Sequence, residues 1–230
     1  MKTKFITIVS FFFFTTLFGQ LRLDFKLINS VANITIYNDS EESYIFPLDR
    51  SHFRPYESIC DAFDEYEKEF PSFGLMVNII NSEGNKENYI LGYNKDSERD
   101  AILYNLNKRR EKLKKEVMIW SKNNNIKNYN LAYINYEIMK NLIYLKPKEK
   151  VTFNVNLDLN NVTNQELIFY NYILEESHSY QLYLNLCEFK EISKYLTASQ
   201  KVKLQKYKFL NNYIDSNIIN IKIKNNSPVN

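Results

Sequence analysis

Ser177-His178-Ser179 and the acidic group Asp61, Asp64, Glu65, Glu67 and Glu69 are the stretches whose side chains could do chemistry. The first puts hydroxyls beside an imidazole, the pairing from which a serine nucleophile is activated, but no G-x-S-x-G elbow accompanies it. The second could gather a cation, yet it lacks the D-x-D-x-D-G order of a calcium loop and reads as a solvated face. His52 and His178 are the two histidines. A zinc site would need them beside cysteines or carboxylates from distant segments, and neither HExxH nor CxxC occurs, so both read as loop or edge residues. Gly19, Gly74, Gly84 and Gly92 are too dispersed to let backbone approach a phosphate, which excludes P-loop and dinucleotide fingerprints. No catalytic residue, cofactor site or metal site is expected.

Cys60 and Cys187 are the two cysteines. In an exported chain they could bridge, closing a loop of 187 − 60 = 127 residues and stabilising by about 4–5 kcal/mol in the chain-entropy model. Alternatively Cys187, continuing a strand, is a small buried hydrophobe. The sequence leaves both open.

Export is expected from the first residues. Lys2 and Lys4 precede an uncharged run from Phe5 to Phe18, and Gly19 stands before Gln20, the layout of a secretory signal peptide. The run is shorter than the ~20 residues that span a bilayer, and it holds no cysteine for a lipid anchor. Cleavage after Gly19 would leave 20–230, one domain with no transmembrane segment, in the periplasm or outside the cell. Its formal charge would be +3 − 2 = +1. A near-neutral chain gives no warrant for nucleic acid or an anionic membrane as partner. The 44% hydrophobic and 15% aromatic content argues against disorder. The abundance of Asn, Lys, Ile and Tyr reads as compositional background, and a single Trp argues against a sugar platform.

Period-two alternation places the main strands. Val151, Phe153, Val155, Leu157 and Leu159 alternate with polar residues, and Lys146-Pro147-Lys148-Glu149 turns the chain just before them, so two strands are expected at a corner of one half-solvated antiparallel sheet. Leu21, Leu23, Phe25 and Leu27 make a first strand, and Ile34 and Ile36 continue the pattern. Asn38-Asp39-Ser40 then leads to the strand SYIFPLD, with Pro47 at an edge or an end. Phe63, Tyr66 and Phe70 have helical spacing. FGLMVNII and ENYILGY predict a hairpin about Asn81–Lys86. ELIFYNYIL is ambiguous, Tyr180 to Leu186 alternate, and Ile219, Ile221 and Ile223 make a final strand.

A helical hairpin is expected at about 96–141. Leu103, Leu106, Leu113, Val117 and Trp120 form its first stripe, expected to pack on the sheet or on the partner helix, and Leu131, Ile134, Ile138 and Leu142 form the second. Arg109, Arg110, Lys112 and Glu116 offer a charged face to a partner. Thr197 and Gln200 predict a capping box, with a helix running through Leu204 and Tyr207.

ITIYNDSEESYIFPLD, followed later by LKPKEKVTFNV, resembles immunoglobulin-like modules of small exported bacterial proteins. In these an L-x-P-G-E corner precedes a strand, as it does in BsuPI-type proteinase-inhibitor domains; Lys148 stands where they have glycine. The resemblance implies a mainly β fold, an immunoglobulin-like antiparallel β-sandwich with Greek-key connections, here with the inserted helical hairpin and a short helix before the last strand. It carries no inhibition across, because no inhibitory loop matches. The expected function is that of an exported, non-catalytic binding or interaction protein whose partner is another protein. Alternatives are a periplasmic inhibitor or immunity-type protein, or a hydrolase on the sandwich, which a pocket holding His52 or His178 beside an acid would favour.

Overall fold

The computed structural model describes residues 21–57, 72–93, 99–164, 168–176, 178–187 and 191–223. The expected signal peptide, the acidic group at 61–69, the helical spacing Phe63, Tyr66, Phe70, and Cys60 and Ser177 lie outside them. The described chain is mainly β, with several antiparallel sheets and three α-helices. No described helix is long and apolar enough to cross a membrane.

β1 (Leu21–Ile28) and β2 (Val31–Asn38) form a hairpin. Its two-residue turn, Asn29-Ser30, has φ of 49° and 63°, the backbone whose twist matches that of paired strands. β3 (Tyr44–Pro47), β4 (Phe53–Arg54), β5 (Leu75–Ile80) and β6 (Tyr89–Tyr93) follow, then α1 (Arg99–Asn124) and α2 (Tyr129–Lys140). The chain continues as β7 (Leu142–Leu145), β8 (Lys150–Asn156), β9 (Ile168–Tyr172) and β10 (Ser179–Leu186), then a 3-10 turn at Ile192–Tyr195 and α3 (Ala198–Leu204). It closes with β11 (Lys208–Phe209), β12 (Ile214–Asp215) and β13 (Ile219–Lys222).

Four sheets result. Their strand orders are β1-β2-β8, β12-β10-β5-β4 with β13 also on β10, β11-β3-β7, and β6-β9. Residues of the first three sheets, α2 and α3 share one apolar cluster that includes Phe25, Ile34, Phe46, Val77, Ile138, Leu184 and Leu204. β8 keeps the expected phase, with Val155 and Leu157 buried and Thr152, Asn154 and Asn156 exposed. Its ladder ends at Asn156 rather than Leu159, because β2 begins only at Val31, after the Asn29-Ser30 turn; the Leu157 N–H still reaches the Ser30 carbonyl in register at 2.8 Å. The first two sheets are joined beside β1. Ser216 bridges to Leu23, and the Asn217 side-chain amide accepts from Phe25 N (2.7 Å) and donates to Phe25 O (3.0 Å).

Local chemistry also explains where the expectations fail. The corner at Lys146–Glu149 joins strands of two sheets, since β7 pairs with β3 whereas β8 pairs with β2. Asn38, 1% exposed, holds it: its side chain donates to the carbonyls of Leu145 (3.2 Å), Lys146 (2.9 Å) and Glu42 (2.6 Å), and its own N–H donates to Glu149 O (2.9 Å). Pro47 is the last residue of β3, so the expected placement at an end holds, and the alternative of an edge does not, because β3 is central in its sheet. Leu142 opens β7 instead of extending α2, and α3 stops at Leu204, short of Tyr207. The Thr197–Gln200 capping box is present.

The expected hairpin of β5 with β6 does not form beyond one bridge, Ile80 to Lys86. β4 takes the far part of that edge of β5, and the Tyr172 hydroxyl donates to Val77 O at 2.7 Å, leaving β6 to pair with β9. The apolar run ELIFYNYIL is thus partly a strand of a separate ribbon.

Lys148 has φ of 62° at the third position of the corner turn, closed by Glu149 N–H to Lys146 O at 3.1 Å. A side chain there is strained, which is why glycine suits the position. Its ammonium reaches Asp39 O (2.7 Å) and Glu41 (2.9 Å), both exposed contacts of small worth. Lys148→Gly should therefore raise stability by about 0.5–1 kcal/mol in a urea titration; a net loss would mean the tethers outweigh the strain.

Candidate functional site

α1 is only weakly absorbed into the fold. It has 26 residues against 12 in α2, about 39 Å against about 18 Å of helix, so its first half runs past its main neighbour. Of the expected stripe, Val117 alone is buried; Leu103, Leu106, Leu113 and Trp120 are half-buried. Val117 packs with Ile126, Ala132 and the flanks of Leu113, Tyr133 and Tyr136, so the second half of the stripe meets the partner helix rather than the sheet. α2 carries the connection onward through Ile134 and Ile138, which enter the main core.

A buried polar lock fixes this arm to the body. Asn135 is fully buried. Its side-chain carbonyl accepts from Trp120 Nε1 (2.8 Å) and Gln200 Nε2 (3.0 Å), and its NH2 donates to Tyr195 O (2.6 Å) and Gln200 Oε1 (2.7 Å). Gln200 Oε1 also accepts from Thr197 N (2.8 Å), so the capping box of α3 is shared with both helices of the arm. Satisfied networks of this kind rigidify, because each member is costly to leave unpaired.

Arg99, Lys108, Arg109, Arg110, Lys112, Lys114, Lys115 and Lys122 stand on α1 against Asp100, Glu111 and Glu116. The expected face of Arg109, Arg110, Lys112 and Glu116 is not one outward face. Glu116 accepts the Tyr136 hydroxyl at 2.7 Å and so turns toward α2, holding Lys112 loosely at 3.9 Å. Burial, and then Glu116, push the Tyr136 phenol up to about 12. Arg109, Arg110 and Lys112 are exposed. Lys108 and Lys115, which belong to the run of charges opposite the stripe but not to those four, stand opposite Val117 and are exposed.

The histidines lie elsewhere. His52 Nδ1 is 3.2 Å from Ser51 Oγ and 3.4 Å from Asp49 Oδ2, while the Ser51 hydroxyl donates to Asp49 Oδ1 at 2.5 Å. A serine triad needs acid and nucleophile on opposite ring nitrogens; here both crowd one, in a turn that Asp49 organises by accepting from Ser51 N. His178 lines an open hollow of about 430 Å³ with Glu83, Glu87 and Glu175, and its Nδ1 is 3.4 Å from Glu175. An acid does stand beside it. Among the described residues, no hydroxyl reaches its ring, and no three His, Cys, Asp or Glu side chains gather as a metal site.

Two more features are structural. Lys86 donates to Asn78 (3.3 Å), Asn78 to Asn185 and Asn185 to Asp215, a one-way chain from ammonium to carboxylate that pins neighbouring strands in register. Lost hydration raises the Asp215 carboxyl, while Asn185 and Lys86 draw it back. Cys187, at the end of β10, is buried and disulfide-bonded. No family model, curated protein or solved structure matches the chain.

Proposed function

We propose that this chain is an exported, non-catalytic binding protein, an immunoglobulin-like sandwich whose helical arm engages another protein. The observation that carries this reading is a long helix, locked to the body near its end, whose cationic side is exposed. Burying Arg109, Arg110 and Lys112 in a partner contact gives the arm a use that closing the sheets does not require. The hydrolase reading draws on His178 and Glu175 at their hollow, where Ser82 and Ser179 also stand, but no described hydroxyl reaches the His178 ring. The Arg109→Glu, Arg110→Glu double variant should keep its melting temperature and lose the protein captured by wild type from envelope extracts. Undiminished capture would remove α1 from the interface. Exported material should have the intact mass of a chain beginning at Gln20; retention of residues 1–19 would overturn the export assignment.

A further inference from the structure

Opposite the side of α1 that meets α2, steps of four and three residues align Tyr104, Lys108, Glu111, Lys115, Met118 and Lys122. All six are exposed, Tyr104 at 69% and Met118 at 48%. Four-three spacing is the period at which one helix presents a continuous seam to another. Here the seam is cationic at three of its six positions, with bulky apolar groups at Tyr104 and Met118.

We infer that the partner lays an acidic α-helix along this seam, an inference that rests on α1 being the interaction arm. Its carboxylates would face Lys108, Lys115 and Lys122, and its apolar side chains would cover Tyr104 and Met118. A second copy of α1 would set lysine against lysine and is disfavoured. Glu111, inside the seam, would repel a nucleic-acid phosphate. A lipid surface calls for an unbroken apolar face, whereas charges separate Tyr104 from Met118.

The probe is a synthetic alanine-rich helix carrying glutamates at four-three spacing, compared with a peptide of the same composition whose glutamates are scattered round the helix. Fluorescence anisotropy with the purified chain should show the in-phase peptide binding about five- to twentyfold tighter, a preference that weakens as salt is added. Lys108→Glu, Lys115→Glu, Lys122→Glu should erase that preference. Lys201→Glu, Lys203→Glu, Lys206→Glu, an equal change of charge on the body, should leave it intact, with circular dichroism verifying both folds. Equal affinity for the two peptides would overturn the inference. So would tighter binding to duplex DNA or to phosphatidylglycerol–phosphatidylcholine vesicles, or equal losses in both triple variants. If the peptide comparison failed while capture stayed sensitive to Arg109 and Arg110, the acidic helix would be wrong and the binding role would stand.

Discussion

Asn135→Leu should destabilise the protein by about 3–5 kcal/mol, although leucine fills nearly the same volume. The substitution strips partners from the Gln200 amide, the Tyr195 carbonyl and the Trp120 indole N–H at once. Gln200 is buried, so water cannot replace what it loses. Each lost bond to a buried group costs about 1–3 kcal/mol; Gln200 keeps Thr197 N (2.8 Å) and a long contact to Asn124 (3.5 Å), and the half-buried indole sits at the low end. Trp120 is the chain's single tryptophan, so its emission reports this junction alone. The variant should show a lower urea midpoint and a red-shifted Trp120 spectrum. An unchanged midpoint with an unchanged spectrum would mean that the lock contributes nothing.

Val155→Asp should be as severe or worse, at more than about 4 kcal/mol, so that little folded protein is recovered. Val155 is 5% exposed in the central apolar cluster, with Ala32 across the ladder. The adjacent Asn154→Asp is the control: Asn154 points to water opposite Asn33, and the change should stay within about 0.5 kcal/mol. Comparable thermal shifts at the two positions would mean that β8 does not present alternate residues to core and solvent.

What could be read from the chain alone follows how local each determinant is. The phase of β8 and the Thr197–Gln200 capping box depend on residues within one element, and both were legible. The β5–β6 hairpin misled because its loop does turn the chain, at Asn81 to Asn85, while the strands beyond it answer to distant β4, β9 and β10. Nothing local announces that Tyr172 will take the Val77 carbonyl. Asn38 and Asn135 were hidden for another reason: in a chain rich in asparagine, the few that are buried look like the many that are solvated. The charged side of α1 was legible as a property of the helix. That Glu116 turns away from it depends on Tyr136, which only the folded hairpin brings near.

The segment from Lys208 to Lys222 adds β11 to β3, β12 and β13 to β10, and Ser216 and Asn217 to the flank of β1. A chain emerging in sequence order therefore cannot finish two of its sheets, or seal the margin of a third, until this stretch is free. Contacts so distant along the chain close slowly, and an incomplete sheet displays open strand edges while it waits. Such a polypeptide is exposed to aggregation for nearly the whole of its synthesis.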